Sequence, residues 1–485
     1  MTMANKIFNI NNFNKTVRYL KKNGIRHAYY AARERIMEEQ GEHYHYIEPS
    51  GAVLEAQRRE TARYSCLFSI VVPAYETKEE FLREMIDSVR RQSYVKWELV
   101  IADASSSDSV ERIVEEIREE TGEERIKYRR LRENKGISQN TNAGIEAAEG
   151  DYIALLDHDD FLTPDALYHM AAALHKAEEA GELPLLLYSD EDKYEGAAGV
   201  MERYADNGSY TQQHKKTDFN LDLILSNNYI CHFMAVKAEV MKQLKLRENY
   251  DGAQDYDLVL RLVDQVYKTT LVQDFMHRII HIPHVLYHWR CHAQSTAQNT
   301  DSKSYAYEAG RMALKDFCRR QGWRVEVNHG LHLGFYEITY LPDLLTVRKE
   351  VGITGGRLLD GRGRVCGGAY RKDSGCMYEG LPKEYSGGST HRAVLKQDVY
   401  AVDIRCMQAA PALWEIYKEI TGLPYREKKI CCGRGKRKTE KYIADITGLH
   451  CDEAGYRKLS MELGRAADAK GYLVVWDPDI TYVVK

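Results

Sequence analysis

The chain has little of what marks linkers, staples and spans. Proline occurs 10 times in 485 residues, so no proline-rich segment separates domains. The 10 cysteines form no C-x-x-C pair, and the adjacent Cys431 and Cys432 have poor spacing for zinc. That argues against a zinc knuckle or a disulfide framework and points to thiols in reducing surroundings. No apolar run reaches the ~18 residues of a transmembrane helix. The first ten residues lack the apolar core and cleavage site of a secretory signal. A net charge of −4 gives no basic field to draw nucleic acid. The expectation is a cytoplasmic chain of two or three domains, because 485 residues exceed one compact core.

Tyrosine is abundant at 34, a compositional bias first and a sugar-stacking surface second. Residues 15–40 read as a basic amphipathic helix broken near Gly24, which either lies on anionic lipid or packs on the next domain. Residues 51–63 read as a polar helix. From Cys66 the pattern becomes regular. The run Cys66–Pro73 is a buried strand, and Glu79, Phe81, Leu82, Met85, Ile86 and Val89 recur at helical spacing. Trp97–Asp103 is a second strand, followed by a helix from Ser109 to Thr121 with Asp108 as its cap. Ile126–Leu131 is a third strand, and a helix follows Gly136. This alternation predicts a parallel sheet. Further on, Leu185–Lys193 reads as a strand ending in acids, Leu258–Val263 as an apolar helix, Arg278–Arg290 as two short strands, and residues 304–321 as a closing helix.

The most telling segment is Tyr152–Asp160, an apolar run that stops in three carboxylates and a histidine. Ligand sites of open α/β sheets lie at the carboxyl ends of strands. Residues two apart on extended backbone point the same way, so Asp157 and Asp159 converge while His158 points elsewhere. Two hard oxygen donors suit Mg²⁺ or Mn²⁺ held together with substrate phosphates. A solvated acidic turn is the competing reading, and only the rest of the chain decides between them.

The residues over about 66–325 resemble family 2 glycosyltransferases of the GT-A fold. The resemblance is carried by Pro73-Ala-Tyr-Glu76, Asp103, Asn134-x-Gly136, Asn142-x-Gly144 and Asp157-x-Asp159, in that order. Four further stretches are similar to the bacterial rhamnosyltransferase-like and cell-surface polysaccharide branch: Tyr188–Lys193, Leu225–Ile230, Gly252–Leu258 and His281–Arg290. The resemblance implies an α/β GT-A domain with a mostly parallel central sheet over 64–327. Helices over 1–63 precede it, and a smaller α+β region over 328–485 follows.

The resemblance also implies roles. Pro73, Tyr75, Glu76 and Asp103 would hold the base of a nucleoside diphosphate, Asp103 accepting from a pyrimidine N3–H. Lys135, Gly136 and Asn142 are further donor-binding candidates, Lys135 the weakest. Asp157 would approach the ribose and the metal-bound phosphate, and Asp159 would ligate Mn²⁺ or Mg²⁺ directly. His288 is a candidate third ligand or a structural histidine. Asp190, Glu191 and Asp192 would lie near sugar hydroxyls. Trp289 would stack on a sugar or sit in the core, and Arg290 would pair with the diphosphate. Asp255 is the candidate general base, with Asp257 as the alternative; the family's Glu-Asp pair reads Gln254-Asp255 here.

The expected activity is inverting, metal-dependent transfer of a sugar from a UDP- or dTDP-sugar, dTDP-rhamnose by analogy, to a cell-surface glycan or lipid-linked acceptor. Peripheral membrane association would come from the basic helix. The rivals are a nucleotidyltransferase, which needs a glycine-rich phosphate loop that Pro73–Thr77 lacks, and a non-catalytic glycan-binding subunit, which needs no base. In the last third, Gln397–Asp403 and Tyr456–Pro478 resemble the acceptor half of a second such module. No Asp-x-Asp strand end precedes them, and Gly455–Leu459 replaces the acidic motif, so an acceptor-binding or packing role is expected. The basic run Arg434–Lys438 is a candidate for contact with anionic lipid or a polyprenyl diphosphate, against a solvated loop.

Overall fold

The computed structural model describes residues 20, 24–34, 36, 44–195, 210–269, 272–291, 304–432 and 439–484. The chain divides into two units, Tyr44–Phe219 with Asn227–Trp323, and Met1–His43 with Asn220–Ser226 and Arg324–Lys485. No helix among the described residues is long and apolar enough to cross a membrane. Residues 24–34 are helical, whereas most of the remaining predicted N-terminal helix and the basic run Arg434–Lys438 lie outside the described residues.

The unit that begins at Tyr44 is built on a nine-stranded sheet. Its strands are β1 (Phe68–Ala74), β2 (Trp97–Asp103), β3 (Ile126–Arg130), β4 (Tyr152–Leu155), β5 (Phe161–Leu162), β6 (Leu186–Tyr194), β7 (Tyr210–His214), β8 (Met234–Lys237) and β9 (Ile279–Arg290). The order is β3-β2-β1-β4-β8-β6-β9-β5, with β7 beside β6. The half from β3 to β4 is parallel, as the strand–helix alternation predicts. Beyond β4 the sheet is mixed: β8 runs antiparallel to β4 and β6, while β6 and β9 are parallel. Arg278–Arg290 therefore forms one strand rather than two. Its register against β6 slips between Ser189 and Glu191, where Pro283 has no N–H for the ladder.

Every residue of β1 and β2 is buried, which is why both read as continuous apolar runs. The longer helices of this unit are α1 (Gly51–Glu60), α2 (Glu79–Arg90), α3 (Ser109–Thr121), α4 (Ile137–Ala147), α5 (Ala166–Glu179), α6 (Ala238–Leu244), α7 (Gln254–Thr269) and α8 (Ser304–Arg320), of which α4 packs on β1 and β2. The apolar stripe of α2, with Leu82, Met85, Ile86 and Val89, packs with Ile70, Val72 and Leu99 in one core. Asp108 stands at the start of α3 but makes no side-chain cap. The glycine of the Asn142-x-Gly144 motif is a packing residue. A Cβ on Gly144 would lie 2.6 Å from Val71 Cγ1, so glycine lets α4 lie close on β1.

The other unit contains a five-stranded sheet in which Val351–Leu359 pairs parallel with Leu473–Val483. Val351–Leu359 continues into a hairpin, with Leu358 opposite Gly367 and the turn at Asp360–Gly363. Gly455–Leu459 lies inside the helix Glu453–Ala469. Asn220–Ser226 is anchored in this unit. Asn220 pairs with the Asp398 backbone in both directions at 2.9 Å, and the fully buried Arg348 grips both oxygens of Asp222 at 2.6 and 2.7 Å.

Candidate active site

The carboxyl ends of β1, β2 and β4 share one edge of the sheet, and each ends in a polar turn. Ala74 is opposite Asp103 in the ladder, so the turn after β1 meets the turn after β2. Glu76 stitches them together: its Oε1 accepts from Ser106 N at 2.7 Å and Ser106 Oγ at 2.6 Å, and its backbone N donates to Ser105 Oγ at 2.8 Å. These bonds to the charged form hold the Glu76 carboxyl below its usual range. Pro73 is buried in β1, while Tyr75 is 50% exposed at the edge. The Asp103 carboxylate is buried, taking Tyr128 Oη at 2.8 Å on one oxygen and Ser105 N at 2.9 Å on the other.

The Asp157–Asp160 turn lies beside this pair. His158 turns away, its Nδ1 3.0 Å from Thr77 Oγ1. Asp157 keeps 48% of its side chain accessible. The protein packed around it nonetheless desolvates the carboxylate and holds its pKa above the ordinary range; His232 pulls it down and Asp159 pushes it up. Two adjacent hard-oxygen donors that repel each other form a set a divalent cation would relieve, so Asp157 and Asp159 fit Mg²⁺ or Mn²⁺. Asp160 belongs to the interior, with Oδ1 accepting from Arg290 N at 2.7 Å and Oδ2 from Tyr287 Oη at 2.5 Å. Burial, then the charges of Asp159 and Asp157, push its pKa well up.

Asp255 stands in the first turn of α7, where the helix N-terminus favours a carboxylate. Its Oδ2 accepts from Asn228 Nδ2 at 2.8 Å, with Cys231 Sγ at 3.8 Å. Its charge acts on Asp157 and on His232, so the three carboxylates Asp157, Asp159 and Asp255 share one electrostatic neighbourhood. Asp257, the alternative base, is fully buried and held by Arg247 Nε at 3.0 Å and Arg261 Nε at 2.9 Å. Two guanidiniums engage it, so it belongs to the helix packing and not to the site.

Several expected ligands are engaged elsewhere. His288 is fully buried, boxed by the rings of Tyr46, Phe161 and Tyr210, with Nδ1 2.6 Å from Asp192 Oδ1. Among the described residues no group of three His, Cys, Asp or Glu side chains could hold a metal, so His288 does not join Asp157 and Asp159. Asp192 also takes Tyr44 Oη at 2.8 Å and is closed to a sugar hydroxyl. Asp190 accepts from Lys216 N and faces His281 Nε2, both at 2.8 Å. Arg290 is buried with Nη2 2.5 Å from Glu84 Oε2, which removes it from the diphosphate. Asn142 pairs with the N–H and C=O of Leu246, each at 2.8 Å. Lys135 is exposed and paired with Glu133 at 2.9 Å. Gly136 opens α4 at φ +90°, and a Cβ there would lie 2.7 Å from Asp251 Oδ2. These two glycine and asparagine motifs shape the backbone around α4.

The structure adds neighbours that motif spacing does not reveal. His232 lies with Nε2 3.9 Å from Asp157 Oδ2 and stacks on Tyr287. Burial would lower its pKa, but Asp157, Glu191, Asp160 and Asp255 together raise it. Trp289 is at the edge of the same cluster, 6.4 Å from the His232 ring and with Lys193 Nζ 5.4 Å from its own. Glu191, pointing opposite to Asp190 and Asp192 on β6, faces His214 at 3.1 Å and Lys216 at 3.5 Å. Burial would push Glu191 up, yet Lys216 and His214 outweigh it and hold the carboxyl down to about 2. The sequence signals are the stretch Leu225–Ile230 for Asn228 and, for His232, the polar pair Cys231-His232 ahead of an apolar segment.

Residues 69–245 match the family described as Glycosyl transferase family 2. Over 256 residues the chain is 39% identical to the uncharacterized protein y4gI of Sinorhizobium fredii, covering 52% of this chain and 26% of that protein. Over 263 residues it is 34% identical to the O-antigen biosynthesis protein RfbC of Myxococcus xanthus, covering 54% of this chain and 19% of that protein. The chain thus spans about a quarter or less of the length of these two relatives. Among solved structures it is similar to residues 1–349 of S. aureus TarS in complex with UDP-GlcNAc, at 18% identity and a TM-score of 0.37, covering 51% of this chain and 65% of that one.

Proposed function

We propose, from the premise that residues 69–245 belong to glycosyl transferase family 2 and fold as its GT-A domain, that this chain transfers a sugar from a UDP- or dTDP-sugar to a cell-surface glycan or a lipid-linked acceptor, with inversion at the anomeric carbon. The observation that carries the reading is that Asp157 and Asp159 follow the end of β4 and the charges of Asp159 and Asp255 both act on Asp157. The likeness to an O-antigen biosynthesis protein supports a surface polysaccharide as the product.

In this reading the turns after β1 and β2 receive the nucleoside, with Tyr75 exposed beside the buried Asp103. Asp157 and Asp159 would hold Mn²⁺ or Mg²⁺, which would supply charge that stabilises the departing diphosphate. Asp255 takes the proton of the acceptor hydroxyl as its oxygen bonds to the anomeric carbon. The bond from that carbon to the phosphate oxygen breaks, its electron pair leaves with the nucleoside diphosphate, and attack from the opposite face inverts the centre. His232 lies beside Asp157, and the surrounding carboxylates raise its pKa.

The test is release of free nucleoside diphosphate from a panel of UDP- and dTDP-sugars, with Mn²⁺, with Mg²⁺ and with a chelator. Metal-dependent release from one donor is expected. Metal-dependent nucleotide binding without release, even with glycan acceptors added, would favour a non-catalytic subunit; no binding at all would remove the transferase reading.

A further inference from the structure

The stretch Leu225–Ile230 has no role in the scheme above, yet it supplies the side chain that touches the base. Asn228 Nδ2 donates to Asp255 Oδ2 at 2.8 Å, and Asn228 Oδ1 accepts from Cys231 N at 3.4 Å. The two bonds fix the orientation of the amide. A flipped amide would set its carbonyl oxygen against the carboxylate and its NH₂ against an N–H. Gln254, where the family's acid would stand, accepts from Gly252 N at 2.8 Å and caps its own turn. Asn228 is thus the side chain that orients Asp255.

We infer that Asn228 is a positioning residue for the transfer: it fixes one oxygen of Asp255 and leaves the other to take the acceptor proton. This rests on Asp255 being the base. A hydrogen-bond donor to a carboxylate favours its charged form, and a like charge opposes it. The other groups around Asp255 are the Cys231 thiol at 3.8 Å, with Asp157 and His232 acting through charge. Burial, followed by the charges of Glu191 and Asp255, pushes the thiol pKa well up, so Cys231 keeps its proton and is a long, weak donor to Asp255 beside the shorter amide bond.

The test uses the full chain, the donor that the wild type turns over, and two variants, Asn228→Ala and Asn228→Asp. The second keeps the shape and reverses the electrostatics. The readouts are nucleoside diphosphate release against pH and UDP or dTDP binding. Binding within about twofold of wild type is expected. Turnover at neutral pH should fall about tenfold for Asn228→Ala and about a hundredfold for Asn228→Asp. The acidic limb should move to higher pH in the same order. Wild-type rate and profile in Asn228→Ala would overturn the inference while leaving the transferase reading intact. Equal losses of binding and turnover with an unmoved profile would overturn it too, because that is the mark of a donor contact or a fold defect. A wild type that releases nothing from any donor would sink the transferase reading and this role with it.

Discussion

Arg290 Nε donates to the carbonyl oxygen of Asp159 at 2.7 Å. The arginine expected to grip a diphosphate instead holds the backbone of the turn that carries Asp157 and Asp159. Its Nη2 is 2.5 Å from Glu84, and its guanidinium packs among Phe81, Phe161 and Tyr194.

Removing that guanidinium takes the opposite charge from the buried Glu84 carboxylate. Arg290→Met is expected to cost about 3–5 kcal/mol, and Arg290→Met with Glu84→Leu to recover most of it. Denaturant unfolding of the two singles and the double measures the coupling. A single variant as stable as wild type would contradict the structural role.

Asp159→Asn removes one of two metal donors while leaving Asp160 and the core intact. Nucleoside diphosphate release is expected to fall by more than about 100-fold, and Mn²⁺-dependent nucleotide binding to weaken with it. Calorimetric titration of UDP or dTDP with and without Mn²⁺ checks this. Unchanged metal dependence would place the ion elsewhere.

Glu191 sets an acid limit on stability. Its folded pKa of about 2 lies below the ordinary glutamate value of 4.5, so its contribution is present above the unfolded value and is lost as pH falls from 4.5 toward 2. The shift corresponds to about 3 kcal/mol. Unfolding free energies across that window should be flatter with pH in Glu191→Gln than in wild type; parallel curves would count against the Lys216 and His214 pairing. His232 works in the opposite sense, because its raised pKa makes its contribution greatest at low pH and lost as pH rises through the folded value.

The parts of the site legible in the sequence are those that follow from local pattern. The apolar run into Asp157 marks a strand end, and the apolar helix after Gln254 brings Asp255 to the mouth of α7. What could not be read is which polar side chains the interior engages. Asp192 and Tyr44 are 148 positions apart, and Glu84 and Arg290 are 206 apart, so no window of sequence contains both partners. His288 and His232 look alike as letters. One is sealed in an aromatic box on β9, and the other is set beside Asp157 by a loop that only the β4–β8 pairing brings near. The parallel half of the sheet was legible from its helical crossovers. The mixed half was not, because antiparallel β8 enters between β4 and β6 without the regular strand–helix alternation.

The central claim is that Asp255, and not its neighbour two residues on, takes the acceptor proton. The most direct measurement compares nucleoside diphosphate release and metal-dependent nucleotide binding for wild type, Asp255→Asn and Asp257→Asn. The account predicts that Asp255→Asn binds nucleotide like wild type, stays folded and releases at least about 100-fold less. Asp257→Asn is expected to lose about 3 kcal/mol or more of stability by removing the buried carboxylate charge that Arg247 and Arg261 share, yet to keep the wild-type pH profile while folded. Turnover by Asp255→Asn at the wild-type rate would contradict it.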